Sequence, residues 1–203
     1  MLLVSARGQS IDTFPLWDGR TFAGLWGGSY ATPSMGQTFT ATASQNDLLS
    51  MTFSIEAQDP PPYNFQAYVF QWTGTGTTGG ALFTSAVTAA PTTIGTYVPI
   101  TINTGGLNLT PGQQYVALFS VNGLNAYGNG GDSYWAYLNA DGYSGGNFVY
   151  NNTASLQGGW QNFGAGDLAF DLAFAVPEPS TISLACLGVL ALASRLRRSG
   201  RQR

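Results

Sequence analysis

Run after run of this chain places apolar residues at every second position, the spacing of a strand with one buried face. Leu49, Met51, Phe53 and Ile55 alternate with Ser50, Thr52, Ser54 and Glu56. Tyr68, Phe70 and Trp72 alternate with Ala67, Val69 and Gln71. Val98, Ile100 and Ile102 share one face, as do Tyr115, Ala117, Phe119 and Val121. The cleanest stripe is Leu168, Phe170, Leu172 and Phe174. Weaker strands are expected at 37–41, 82–85, 134–138 and 148–150. Asp59-Pro60-Pro61-Pro62 closes one strand, 74–80 reads as a flexible glycine-rich loop, and Thr110-Pro111-Gly112 suits a type II turn. No part of residues 11–175 carries sustained helical periodicity. The fold class expected is all-β, an antiparallel, jelly-roll-like β-sandwich.

The surface of such a sandwich must be built almost without charge. Charged residues are 8% of the 203, against roughly 25% in an ordinary domain, and the chain has no Lys and no His. Thr, Ser, Asn, Gln and Gly take their place, while 13% aromatic residues argue against a disordered chain. Five of the seven basic residues (Arg195, Arg197, Arg198, Arg201 and Arg203) lie at the C-terminal end. The rest of the chain sets Arg7 and Arg20 against nine carboxylates before Val176. Without a basic patch to neutralise phosphates, nucleic acid is excluded as a partner.

The same inventory limits the chemistry. With no His, and the single Cys186 outside the body, Ser-His-Asp and Cys-His catalysis are excluded, as are the usual zinc and non-haem iron sites. Glu56, Asp59, Asp132, Asp141, Asp167 and Asp171 are available for carboxylate chemistry, but no spacing selects a pair, and the chain is expected not to be an enzyme. No cofactor is expected beyond a structural Ca²⁺. The loop from Asn122 to Asp132 offers hard oxygen donors, with Asn129, Asp132 and Asp141 as candidate ligands. An ordinary Gly/Asn-rich turn using left-handed conformations is the stronger explanation of that loop. Aromatic residues in polar, loop-like contexts suggest a sugar-binding surface, with Trp26, Tyr127, Tyr134, Trp135 and Trp160 as candidates. A structural or adhesive surface protein, its aromatics used as core, is the other reading.

The C-terminal end has its own organisation. Val176-Pro177-Glu178-Pro179-Ser180 is followed by the uncharged run Ile182 to Ala193 and then by Arg195, Arg197 and Arg198. The prolines break any strand, and Ser180 or Thr181 can cap a helix of roughly 22 Å, short of a full bilayer core unless the arginines snorkel. A single short transmembrane helix is expected, with the arginines on the cytoplasmic side and the body outside. These three parts in order, over 176–203, resemble the PEP-CTERM sorting signal of Gram-negative bacteria. The resemblance implies export, an inner-membrane-anchored intermediate, and cleavage by an exosortase near the Pro-Glu-Pro motif. It further implies a final place at the cell surface or in the extracellular matrix, with exopolysaccharide as a partner. Residues 1–10 are expected to be a disordered start or the remnant of a signal peptide. Val4-Ser5-Ala6 resembles the small-residue end of such a peptide, and an upstream start codon is expected.

Overall fold

In a computed structural model of the chain, residues 9–27, 32–59, 63–124 and 131–176 are described. The body forms one compact unit over Arg7–Ala175. The described residues form β1 (Gln9–Asp12), β2 (Phe22–Trp26), β3 (Ser34–Thr40), β4 (Asp47–Asp59) and β5 (Asn64–Trp72). They continue with β6 (Thr77–Thr84), β7 (Thr88–Ala89), β8 (Val98–Asn108), β9 (Gln114–Ser120) and β10 (Asp132–Leu138). The last strands are β11 (Phe148–Asn151), β12 (Trp160–Asn162), β13 (Asp167–Leu168) and β14 (Phe170–Phe174). Among the described residues the only helical turn is the 3-10 turn Phe14–Leu16, and none is long and apolar enough to cross a membrane. The expected transmembrane helix and the sorting residues Pro177, Glu178, Pro179, Ser180, Arg195, Arg197 and Arg198 lie outside the described residues. The first strand already begins at Gln9, because Gln9 to Asp12 pair with Phe174 to Asp171.

Two antiparallel sheets make up the body. β4 is the axis of the first: one edge carries β8, while the other carries β14 over Leu48–Phe174 to Phe53–Phe170 and β10 over Ile55–Trp135 to Asp59–Asp132. β1 extends this sheet beyond β14 and β2 extends it beyond β10, while β13 pairs with the end of β10. The second sheet runs β12-β11-β3-β9-β5-β6, with β7 also on β5. Both inner faces pack into one core.

The centre of that core is aromatic. Phe119 of β9 stacks on Phe65 of β5 at 4.6 Å and meets Phe53 of β4 edge-on at 5.1 Å and Trp135 of β10 at 5.4 Å. Trp26 closes the group edge-on against Trp135 at 5.2 Å. Quadrupoles favour such edge and offset contacts over face-to-face sandwiches. The stripes read at 115–121 and 168–174 point inward as expected, and Val98, Ile100 and Ile102 form the half-buried face of β8. The turn at Thr110-Pro111-Gly112 has Gly112 at φ +82° and a Gln113 N–H donated to the Thr110 carbonyl, as type II requires.

Two sequence expectations shift. Leu49 is exposed and Leu48 is buried in its place, because a bulge against β14 leaves Leu49 as an extra residue between Leu48 and Ser50 and reverses the alternation. Residues 77–80, expected as part of a loop, open β6, held by ladder pairs of Thr77 and Thr78 with Trp72 and Gln71.

A buried polar knot ties the sheets at one end. The Gln37 side chain of β3 donates to Asp167 Oδ1 at 2.7 Å and accepts the Leu168 N–H at 3.0 Å. Asp167 Oδ2 accepts the backbone N–H groups of Gly142 and Tyr143 at 2.9 and 2.8 Å. Burial raises the Asp167 carboxyl above the usual carboxylate range, partly offset by these donors. Close by, the backbone at Gly146 lies directly on β3, so a Cβ there would overlap the Thr38 carbonyl. Gly146→Ala is therefore expected to cost about 1–3 kcal/mol in urea unfolding. Gly158→Ala, where a Cβ meets open space, should leave the midpoint unchanged. Equal midpoints for the two variants would refute this packing.

On β1 and β14, Asp12 and Asp171 stand directly opposite each other. Burial, and then the Asp12 charge, raise the Asp171 carboxyl, and Ser10 draws it partly back. A raised carboxyl binds its proton more tightly in the folded state, so its stabilising contribution is present below the ordinary carboxylate range. That contribution is lost as pH rises through the raised value. Asp167 acts in the same direction. The melting temperature is expected to rise as pH falls from neutral toward about 4, and Asp12→Asn should flatten the slope. A melting temperature that falls over this range in calorimetry would overturn the assignment.

Candidate functional site

β10 presents Trp135 and Tyr137 to the core and Tyr134, Ala136 and Leu138 to the opposite side, as strand alternation dictates. On that outer face Ala136, Leu138 and Ala169 form a small apolar floor, against which Phe14, Trp17 and Tyr97 pack half-buried. Tyr97 meets Trp17 edge-on at 4.7 Å, and Phe22 of β2 stacks on Tyr134 at 4.1 Å with 20° between the rings. The two pairs are joined through Glu56, which sits opposite Tyr134 across the β4–β10 ladder and accepts the Tyr97 hydroxyl. Burial, then the Glu56 charge and that hydrogen bond, push the Tyr97 hydroxyl far above its usual range, so it stays a donor. The result is an outer face that carries both aromatic pairs, with Phe22 48% exposed and Leu16, beside Trp17, 60% exposed.

A cleft of about 360 Å³ opens at the Trp17 end. One wall is Leu16, Trp17, Asp18 and Thr21, and the other runs from Tyr137 to Gly142. The near wall is a fixed turn: Asp18 Oδ1 accepts the N–H groups of Arg20 and Thr21, and Oδ2 accepts the Thr21 hydroxyl. Gly19 supplies the φ of +78° that the turn needs. The hydrogen bonds from Thr21 and Arg20 lower the exposed Asp18 carboxyl to about 2. The Trp17 indole N–H donates to the Thr21 carbonyl at 2.7 Å, fixing the ring at the rim. The far wall is pinned from the core by Asp167, through Gly142 and Tyr143.

The aromatic candidates divide sharply. Trp26 and Trp135 are fully buried at the centre of the sandwich, so neither offers a face to a sugar. Their positions are a correction: each occupies the inward phase of its strand, where the facing sheet covers it. Trp160 is 9% exposed and packs edge-on against Trp72 on the outer face of the other sheet, its N–H donated to the Leu156 carbonyl. Only Tyr134 belongs to the exposed aromatic face. Tyr127 and Asn129 lie outside the described residues. Asp132 begins β10 and Asp141 lies beyond its end, roughly 20 Å of strand away. One ion therefore cannot take both, which corrects that ligand pair. Among the described residues no group of three His, Cys, Asp or Glu is placed to hold a metal.

Phe22 and Tyr97 went unread in the sequence, since neither lies on an alternating stripe; tertiary packing alone brings them beside Tyr134 and Trp17. No curated protein was found to match the chain. Residues 175–198, beginning where the last strand ends, match the family model of the PEP-CTERM protein-sorting motif, so the chain carries at its C-terminal end a signal that implies sorting to the cell envelope or surface.

Proposed function

We propose that the protein is an exported surface protein, processed by an exosortase at its Pro-Glu-Pro motif, whose body binds a glycan on the aromatic face of the first sheet. The observation that carries the binding reading is the two aromatic pairs on the outer face, Trp17–Tyr97 and Phe22–Tyr134, with Trp17 at the wall of the 360 Å³ cleft. Flat rings pack on the C–H faces of sugars, while Asn139 and Asp141 stand at the walls to meet hydroxyls. Binding rather than cleavage is supported by Asp18, whose oxygens are occupied by Thr21 and Arg20 and whose carboxyl, at about 2, is a poor proton donor. The reading as a structural or adhesive protein draws support from Trp26, Trp135 and Trp160, which serve packing.

Two experiments test this proposal. With the native upstream region and a tag in the body, cell fractionation and mass measurement should find a surface or released form shortened near Val176 to Ser180. A full-length product retained in the cytosol would defeat the sorting assignment. In titrations with neutral β-linked glucan oligomers, Trp17→Ala and Tyr134→Ala should each weaken binding about tenfold, the loss of ~1.4 kcal/mol of stacking. Trp160→Ala, on the other sheet, should not weaken it. Equal affinity in all three variants would remove the platform.

A further inference from the structure

Resting on the glycan-binding reading, we infer that the cleft selects an amino-bearing, cationic glycan over neutral and acidic ones. Three carboxylates surround the aromatic face: Asp18 and Asp141 at the walls of the cleft, and Glu56 beneath Tyr97. The only basic residue within the described residues is Arg20, and the chain has no Lys or His to add another.

The charge is also permanent where it matters. Asp18 is held ionised by three hydrogen bonds and sits on the same fixed turn as the Trp17 ring. An ammonium group lying over Trp17 would meet the negative face of the indole and a carboxylate from the neighbouring residue, two attractions of the same sign. A uronate placed there would meet repulsion from Asp18 and Asp141; the Arg20 guanidinium on the Asp18 turn offsets part of that field, but one cation against three carboxylates leaves the negative charge in excess. A neutral sugar gains the stacking alone. The field is local: an otherwise weakly charged surface leaves these carboxylates to dominate within the ~10 Å over which salt leaves charges visible to one another.

The test uses the full-length protein and three hexamers: β-1,4-linked glucosamine, its fully N-acetylated neutral counterpart, and oligogalacturonate. At mildly acidic pH, where the amines are protonated and Asp18 remains ionised, the glucosamine hexamer should bind at least tenfold more tightly than the acetylated one. The uronate should show no binding. The preference should shrink in high salt and in Asp141→Asn, a surface change that spares the Asp18 turn, and should shrink further when Asp18→Asn is added. Trp17→Ala should weaken both glucosamine and acetylated hexamers. Binding of the acetylated hexamer equal to or tighter than that of the amine, still lost in Trp17→Ala, would overturn the charge selection and leave the platform standing. A preference unchanged in the double variant would likewise overturn it. If none of the hexamers binds, both the selection and the platform fall.

Discussion

The contact of Phe119 with Phe53 and Trp135 is the joint on which the body turns. It is where the second sheet meets the first, with ring centroids 5.1 and 5.4 Å apart, and Phe65 and Trp26 extend it sideways. With the single cysteine outside the body and Arg20 the only basic residue among the described residues, neither an internal disulfide nor an ion-pair network among those residues can hold the two sheets together. Burial of large rings must supply that cohesion, at about 25 cal/mol for each Å² of apolar surface removed from water. Trp26 and Trp135 are thus consumed by the fold, and the outer face carries Phe22 and Tyr134 on outward phases of the same strands, with Trp17 and Tyr97 coming from the segments between strands.

From that joint, position is handed outward through polar contacts. Gln37 and Asp167 are both buried, and their hydrogen bonds reach from β3 in one sheet, through β13, to the loop that walls the cleft. Removing one partner would strand a buried group at a cost of about 1–3 kcal/mol. The same arrangement fixes Gly142 and Tyr143 without placing a side chain in the cleft. The opposite wall is built differently, by a short turn whose Asp18 and Gly19 are local in sequence. One wall is therefore held by the core and the other by turn chemistry, and Trp17 stands on the second.

Strand existence was readable because alternation of period two survives wherever a strand has one wet face; 115–121 and 168–174 lie where their patterns put them. Failures came where that simple relation breaks. The bulge of β4 against β14 adds Leu49 between Leu48 and Ser50 and reverses the phase, which no period can announce. β5 is covered on both sides, with Phe65, Ala67 and Val69 in the central core and Phe70 and Trp72 in an outer cluster, so its alternation does not say which face is inner. The site was less legible than the fold. Trp26, Trp135 and Trp160 looked accessible from their polar neighbours, yet accessibility is decided by the facing sheet or loop. Tyr97 and Phe22 gained their places through ring partners 80 and 112 positions away in the chain, Trp17 and Tyr134.

Scarcity of charge also governs how the surface can act. On an ordinary protein surface, carboxylates and ammonium groups stand interspersed and their fields largely cancel over a Debye length. Here the described body offers one guanidinium, at Arg20, which acts on Asp18 but stands alone against Asp18, Asp141 and Glu56. The carboxylates at the cleft are consequently not averaged away, and Thr, Ser, Asn and Gln around them contribute dipoles rather than opposing charge. A surface of this kind resembles the hydroxyl-rich polymers of a cell exterior in its own chemistry. It gains little from non-specific attraction, so selectivity has to arise where a ring and a fixed carboxylate stand side by side, as Trp17 and Asp18 do.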